Sequence, residues 1–370
     1  MSEAADSSAD ALTPGARYQR GVAAGEWQSD PAQLALLPVF DRLYAELAAP
    51  RSVSLWQRLL GEMPAAPRGI YLWGRVGRGK TFLTELFCDV LPQTRKRRVH
   101  FHRFMQEIHA GLRSLEGRRD PLDEVATRIA GELSVLVLDE FFVGDIGDAM
   151  ILGNLLRALF ERGVVLVTTS NTPPRELYKD GLQRERFLPA IALIEQHCEV
   201  VELVSAIDWR LRALKQAPVY YTPPGADAER ALQATFQRVA RGTARRDFEL
   251  VLNDRPVPVR GEADGAIWFD FAALCEGPRG IADYIELAKA YHTILVSNVP
   301  EFTPQTDDAA RRFIELVDEL YDRGVNLVLS AAVPIVDLYD GERLRAAFAR
   351  TESRLIEMQS EDYLAREHQP

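Results

Sequence analysis

The sequence predicts an α/β protein: a parallel sheet with flanking helices, followed by a second α/β region. Three observations predict it. Short apolar strands alternate with amphipathic helices over most of the chain. A glycine-rich turn, Gly74-Arg75-Val76-Gly77-Arg78-Gly79-Lys80-Thr81, sits between such a strand and such a helix. A run apolar at every position, Val135-Leu136-Val137-Leu138, ends in Asp139-Glu140, as expected of a strand covered on both faces.

Composition bounds the rest. The chain has 370 residues, 47% hydrophobic and 26% charged, with 44 Lys and Arg against 54 Asp and Glu, a formal net charge of −10. This is globular composition with room for two or three domains, and it excludes disorder or fibres for the bulk of the chain. The acidic balance disfavours nucleic acid as a partner, leaving only a local basic patch for that role. Cys88, Cys198 and Cys275 lie far apart and form no CxxC. Neither a disulfide framework nor a cysteine zinc knuckle is expected, and a cytoplasmic setting fits. No apolar run approaches the ~18 residues that span a bilayer. The start, Met1-Ser2-Glu3-Ala4-Ala5-Asp6, resembles neither a secretory signal nor a transit peptide, and residues 1–12 are expected to be a disordered tail.

An N-terminal helical segment then occupies residues 13–66. Leu34, Leu37, Phe40, Leu43, Tyr44 and Leu47 recur at helical spacing within one pattern from Tyr18 to Leu47. Residues 55–60 read as a short second helix before Pro64 and Pro67. The core, residues 67–206, opens with Gly69–Trp73 as a buried strand. The helix after the glycine-rich turn carries Phe82, Leu83, Leu86, Phe87 and Val90 on one face and stops at Pro92. Residues 99–101 are the next strand, and Phe104, Met105, Ile108 and Leu112 mark a helix. A strand at 133–138, a helix at 150–160 stopped by Gly163, and strands at 164–168 and 199–203 complete the unit. Such repeats make a parallel sheet with right-handed crossovers. Residues 207–245 change texture. Helical stretches at 208–214 and 228–239, separated by Pro218, Pro223 and Pro224, are expected to form a helical lid-like segment. Residues 246–370 form a C-terminal α/β domain, opening with a hairpin of 248–252 and 257–259 and a strand at 267–271. Within it, residues 316–328 echo residues 155–167 as helix, Arg-Gly and strand, but lack a Gly-Lys-Thr turn and an acidic pair. This second region is therefore not expected to hydrolyse nucleotide.

The turn fits G-x-x-x-x-G-K-[ST] completely, in the strand-to-helix context the motif requires. Glycines let successive N–H groups converge on phosphate oxygens, and the helix start adds partial positive charge. Gly74, Arg75, Val76, Gly77, Arg78, Gly79, Lys80 and Thr81 are the candidate nucleotide-binding residues. Lys80 is expected at the β- and γ-phosphates and Thr81 on Mg²⁺. Asp139, at the strand end, is the second candidate Mg²⁺ ligand. Glu140 beside it is placed to polarise an attacking water, which points to hydrolysis. Asn171, after the 164–168 strand, is a candidate γ-phosphate or water contact, or else a turn residue before Pro173-Pro174. No N-K-x-D occurs, which disfavours a guanine-specific switch.

These features together resemble the AAA+ ATPase superfamily and, more narrowly, the ZapE family of division-associated ATPases with mitochondrial relatives. Besides the turn, the resemblance rests on residues 100–105, Asp139-Glu140-Phe141, residues 145–150, Thr169-Ser170-Asn171, and residues 180–189, 311–314 and 353–358. It runs from about Tyr18 to the end of the chain. Trp209 stands where the family usually has Tyr. The resemblance implies ATP and Mg²⁺ as ligands, ATP hydrolysis and nucleotide-dependent homo-oligomers. It implies remodelling of a protein partner, FtsZ or other division or inner-membrane proteins, by a cytoplasmic protein recruited to the inner membrane or division site. It also implies an arginine supplied by a neighbouring subunit, with Arg184 and Arg186 as candidates and ion pairs to Glu185 or Glu195 as the plain alternative. Arg350 and Arg354 are the candidates for a sensor arginine. Two other classes stay open. One is a nucleic-acid-handling relative such as a helicase loader, although no dedicated DNA-binding module is found. The other is a membrane scaffold whose assembly nucleotide controls, against which Glu140 speaks.

Three features carry a plain and a functional reading side by side. Arg95-Lys96-Arg97-Arg98 is a solvated turn, or a contact for nucleic acid or anionic lipid. His100 and His102 share a strand face but lack a third ligand for zinc. Phe104 and Met105 are core residues, or grip a substrate chain in a ring pore.

Overall fold

The computed structural model describes residues 12–49, 66–75, 77–92, 94–205, 209–215, 218–239, 244–253, 255–263, 265–366 and 368–369. Residues 1–11 of the expected tail, the helix expected at 55–60 and Val76 lie outside them. The chain divides into two compact units, residues 1–207 and 208–370.

The first unit is built on five parallel strands: β1 (Gly69–Trp73), β2 (Lys96–His100), β3 (Val135–Asp139), β4 (Val165–Ser170) and β5 (Cys198–Glu202). Their order is β2-β3-β4-β1-β5. Alternation along the strands divides the core in two. Leu136 and Leu138 join Tyr71 and Leu166 against Phe104, Ile108, Leu152 and Leu159. Val135 and Val137 join Ile70, Leu72 and Val167 against Tyr18, Phe40, Phe82 and Phe87. Each such fully buried side chain contributes about 1.5–3 kcal/mol. Gly69 is dictated by packing, because a Cβ there would collide with Leu166 O of β4.

The single N-terminal helical pattern is two helices, Pro14–Ala23 and Pro31–Ala48. Gly25, at φ 74, turns the chain between them. Asp30 then caps the second helix by accepting the Ala32 N–H at 2.9 Å, with Pro31 in the first position.

β2 begins at Lys96, so most of the basic run lies on a strand and not in a turn. An edge strand tolerates charge, and here each basic residue is engaged. Arg95 donates to Ala130 O and Gly131 O, and Lys96 to Cys88 O and Leu91 O. Arg97 pairs with Glu107, and Arg98 with Asp139. The next helix, Phe101–Ser114, starts early enough that His102 lies on it and shares no strand face with His100. Phe104 and Met105 are buried in the core, which removes them from any pore.

The second unit holds β6 (Tyr220–Tyr221), β7 (Arg245–Leu252), β8 (Arg255–Ala263), β9 (Ala266–Asp270), β10 (Thr293–Val299) and β11 (Asn326–Ala331). Their order is β6-β11-β10-β9-β8-β7, with β7 and β8 as an antiparallel extension. The structure departs here from the lid-like segment expected at 207–245. β6 is an edge strand of this sheet, and helix Ala226–Val239 buries Leu232 and Phe236 with Trp268, Leu295 and Val328. An amphipathic helix needs a surface to cover, and its surface is made by strands that come later in the sequence.

The echo is structural. Helices Ile146–Glu161 and Asp307–Asp322, strands β4 and β11, and the 3₁₀ turns Pro174–Glu176 and Ile335–Asp337 each stand 161 positions apart. The strand order β6-β11-β10-β9 repeats β1-β4-β3-β2. Where β1 leads into the glycine-rich turn, β6 leads into Thr222-Pro223-Pro224-Gly225, without a lysine. Near the end of β10 stand Ser297 and Asn298 in place of an acidic pair. Arg260 fills that neighbourhood. It pairs with Glu229 and Asp270 and donates to Ser297 Oγ at 2.9 Å. No helix among the described residues is long and apolar enough to cross a membrane.

Candidate nucleotide site

β1 delivers the glycine-rich turn to the carboxyl edge of the first sheet. Gly74 (φ 150), Gly77 (φ 77) and Gly79 (φ 87) take backbone conformations that side chains rarely adopt. The Gly74 N–H donates to Ser170 O at 3.2 Å, which ties the turn to β4. Helix Lys80–Val90 starts at Gly79 with no side-chain cap, so its first N–H groups keep their attraction for an anion.

Lys80 is 8% exposed. Its Nζ donates to Gly74 O at 2.5 Å, Arg75 O at 2.9 Å and Asn171 Oδ1 at 3.0 Å. The motif lysine and the asparagine after β4 thus meet. Behind Asn171, the Tyr71 hydroxyl donates to Thr172 O at 2.9 Å, and burial pushes its pKa up, so it stays a donor. Thr81 is the second residue of the helix. Asp139 is buried at the end of β3, where Oδ1 accepts from Thr84 Oγ1 at 3.2 Å and Oδ2 from Arg98 Nε at 2.6 Å. Glu140 follows at φ 54, its N–H donating to Thr169 Oγ1 at 3.0 Å and its carboxylate 4.0 Å from His100 Nδ1. A left-handed non-glycine residue costs on the order of 1–3 kcal/mol and persists where its surroundings impose it.

Arg184 and Arg186 share one 3₁₀ turn after Gln183, itself at φ 58. Arg184 Nη2 donates to Arg175 O at 2.6 Å. The Arg186 side chain is exposed and has no partner among the described residues. Neither forms an ion pair with Glu185 or Glu195 among the described residues. Arg350 and Arg354 both pair with Asp318, at 2.5 and 2.6 Å, and Arg354 also with Asp322, so both charges are neutralised inside the second unit.

Two contributors escaped the sequence. One is Arg98 on Asp139. The other is Gln33, 1% exposed on helix Pro31–Ala48, whose Nε2 donates to Arg78 O at 3.1 Å. Gln33 Oε1 accepts from the Tyr18 hydroxyl at 3.1 Å, which itself accepts the Asp30 N–H at 2.9 Å. Asp30 Oδ2 accepts from the Ser205 hydroxyl at 2.8 Å. A buried chain of hydrogen bonds therefore runs from the segment after β5 to the glycine-rich turn. No periodicity marks Gln33, because one polar residue on a helix reads as solvent-facing. Gln33→Glu would set a carboxylate against the Arg78 carbonyl and remove the donor, a loss of about 1–3 kcal/mol. We expect nucleotide affinity to fall by about 5- to 150-fold, measured by equilibrium binding. An unchanged Kd with a lowered Tm would show that the bond only anchors the helix.

The residues present fit a phosphate ligand and its metal. Arg78 Nη1 is buried without a hydrogen-bond partner, a donor lacking an acceptor beside left-handed glycines and an uncapped helix start. Thr81 and Asp139 supply hard oxygen donors, the kind Mg²⁺ takes alongside phosphate and water.

The AFG1-like ATPase family matches this chain over residues 12–367. The chain is 43% identical over 369 residues to the cell division protein ZapE of Escherichia coli K12, covering 96% of this chain and 98% of that one. It is 38% identical over 346 residues to lactation elevated protein 1 homolog B of Danio rerio, covering 81% of this chain and 69% of that one. Similarity of this extent takes in both units and not the phosphate motif alone, and the chain belongs to the AFG1-like ATPase family.

Proposed function

We propose that the protein hydrolyses ATP with Mg²⁺ at the site in its first unit and couples the cycle to remodelling a protein partner in cell division. It works as a nucleotide-dependent homo-oligomer recruited to the inner membrane, with FtsZ the first candidate partner. The carrying observation is the contact of Lys80 Nζ with Asn171 Oδ1 at 3.0 Å, beside a strand that ends in Asp139 and Glu140. Backbone N–H groups of the turn and Lys80 would bind the β- and γ-phosphates. Thr81 and Asp139 would hold Mg²⁺, which when bound neutralises charge on the transferred phosphoryl group. Glu140 accepts the proton of the attacking water, and Asn171 orients that water or the γ-phosphate. The name of the Escherichia coli relative supports the division setting. The engagement of all four basic residues at 95–98 weakens the nucleic-acid alternative.

The second unit, with Arg260 and its partners where a phosphate site would lie, is read as binding no nucleotide. Calorimetry with a non-hydrolysable ATP analogue should give one site per chain in the wild type and none in Lys80→Ala. ATPase rates with and without FtsZ then test the partner. Two sites per chain, or binding by Lys80→Ala, would overturn the reading.

A further inference from the structure

Asp139 shares its carboxylate with an arginine. Arg98 Nε lies 2.6 Å from Asp139 Oδ2, and Arg98 Nη1 lies 3.6 Å from Glu85 Oε1 on the helix after the glycine-rich turn. Asp139 is 2% exposed and Glu85 8%. The other oxygen of Asp139 is held by Thr84 Oγ1 at 3.2 Å. Two buried carboxylates thus face one guanidinium, which leaves a single negative charge among the three side chains. Without Arg98 the pair would carry two, in surroundings where charges interact several times more strongly than in water. Two oxygen-donor carboxylates in such a setting would attract a divalent cation. With Arg98 in place, a cation arriving alone meets a fixed positive charge about one hydrogen bond from its ligand.

We propose that Arg98 excludes free divalent cations from Asp139, so that Mg²⁺ enters only with the nucleotide, whose phosphates add the missing negative charge. The inference rests on the reading of Asp139 as a Mg²⁺ ligand. Arg98 acts through Asp139 and is a positioning residue. Sequence alone offered a solvated turn or a nucleic-acid or lipid contact for it, whereas β2 pairs it opposite Val137 and sends its side chain to the end of β3.

The test uses Mn²⁺ alone as the probe, its binding followed by electron paramagnetic resonance on the full chain without nucleotide. Arg98→Gln should bind Mn²⁺ at least about tenfold more tightly than the wild type. Arg98→Lys keeps the charge but loses the Nε bond, and should still exclude the ion. Glu85→Gln combined with Arg98→Gln returns the group to one negative charge and should restore exclusion. The proposal is overturned by equal Mn²⁺ affinity in wild type and Arg98→Gln, or by Arg98→Lys or the double variant binding as tightly as Arg98→Gln. If Arg98→Gln does not fold, Arg98→Met, which keeps the aliphatic stem without the charge, takes its place, and Mn²⁺ affinity equal to that of the wild type overturns the proposal. Asp139→Asn added to Arg98→Gln should abolish Mn²⁺ binding. Persistence there would sink the metal assignment of Asp139, and the inference with it. Loss there with no contrast among the Arg98 variants would sink the inference alone.

Discussion

Glu140→Gln is expected to bind ATP with near wild-type affinity and to turn it over about 10²- to 10⁴-fold more slowly, the usual contribution of a positioned general base. The substitution preserves size and keeps the backbone that holds φ 54, including the N–H to Thr169 Oγ1. What it removes is the negative charge and the basicity of the carboxylate. Lys80→Ala should behave differently. Its ammonium, buried among three oxygens, is the cation of the turn, and without it the phosphates lose their fixed counter-charge. Binding should then disappear together with turnover. Parallel equilibrium binding and steady-state rates separate the two variants. Equal loss of binding in both would reject water activation by Glu140.

Arg186→Ala should leave ATP binding intact and reduce turnover by about 10³- to 10⁵-fold, the effect of an arginine supplied to the γ-phosphate. That equals roughly 4–7 kcal/mol of barrier, against about 0–1 kcal/mol for an ordinary surface ion pair. The structure sharpens the choice between the two arginines. Arg184 closes its own turn on Arg175 O, whereas Arg186 is exposed without a partner among the described residues. Arg184→Ala is therefore the control, expected to disturb the turn more than the chemistry. A mixing experiment then tests action between subunits. Lys80→Ala chains cannot hold ATP but present Arg186, while Arg186→Ala chains hold ATP and present nothing. Mixing two inactive proteins should recover activity at interfaces where the first serves the second. A mixture that co-assembles but stays inactive would place the arginine in its own subunit or in a structural role.

The glycine-rich turn, β3 and Asp139-Glu140 were legible because local sequence dictates them: a motif of fixed spacing and a strand apolar on both faces. β2 was misplaced because its residues are charged, and strand-edge chemistry has no apolar period to read. The N-terminal pattern kept its phase through two helices because Tyr18 and Leu37 bury into the same layer, and only Gly25 and Pro31 mark the break. Helix Ala226–Val239 was detached from its domain because its partners Trp268, Leu295 and Val328 are distant in sequence. Gln33 and Arg98 were invisible for the same reason. Their importance is set by what they touch, Arg78 O and Asp139, and no local pattern encodes a contact of that range. The repeat of helix, strand and 3₁₀ turn at one offset was visible only as a faint echo, because strand order cannot be read from residues.

The hydrogen bond between Asp30 and Ser205 joins positions 175 residues apart, and β1 lies between β4 and β5, the last strands of its sheet to be made. The candidate nucleotide site thus depends on contacts of long sequence separation, although its motif is a single short stretch. During synthesis, the glycine-rich turn leaves the ribosome long before the strands that support it. At about 5–20 residues per second, the segment from Lys80 to Ser205 takes roughly ten seconds to appear. Until β4 and the residue after it have been made, the turn has neither Ser170 to hold Gly74 nor Asn171 to meet Lys80. On the proposed reading of the site, a nascent chain gains affinity for nucleotide only when its first unit closes.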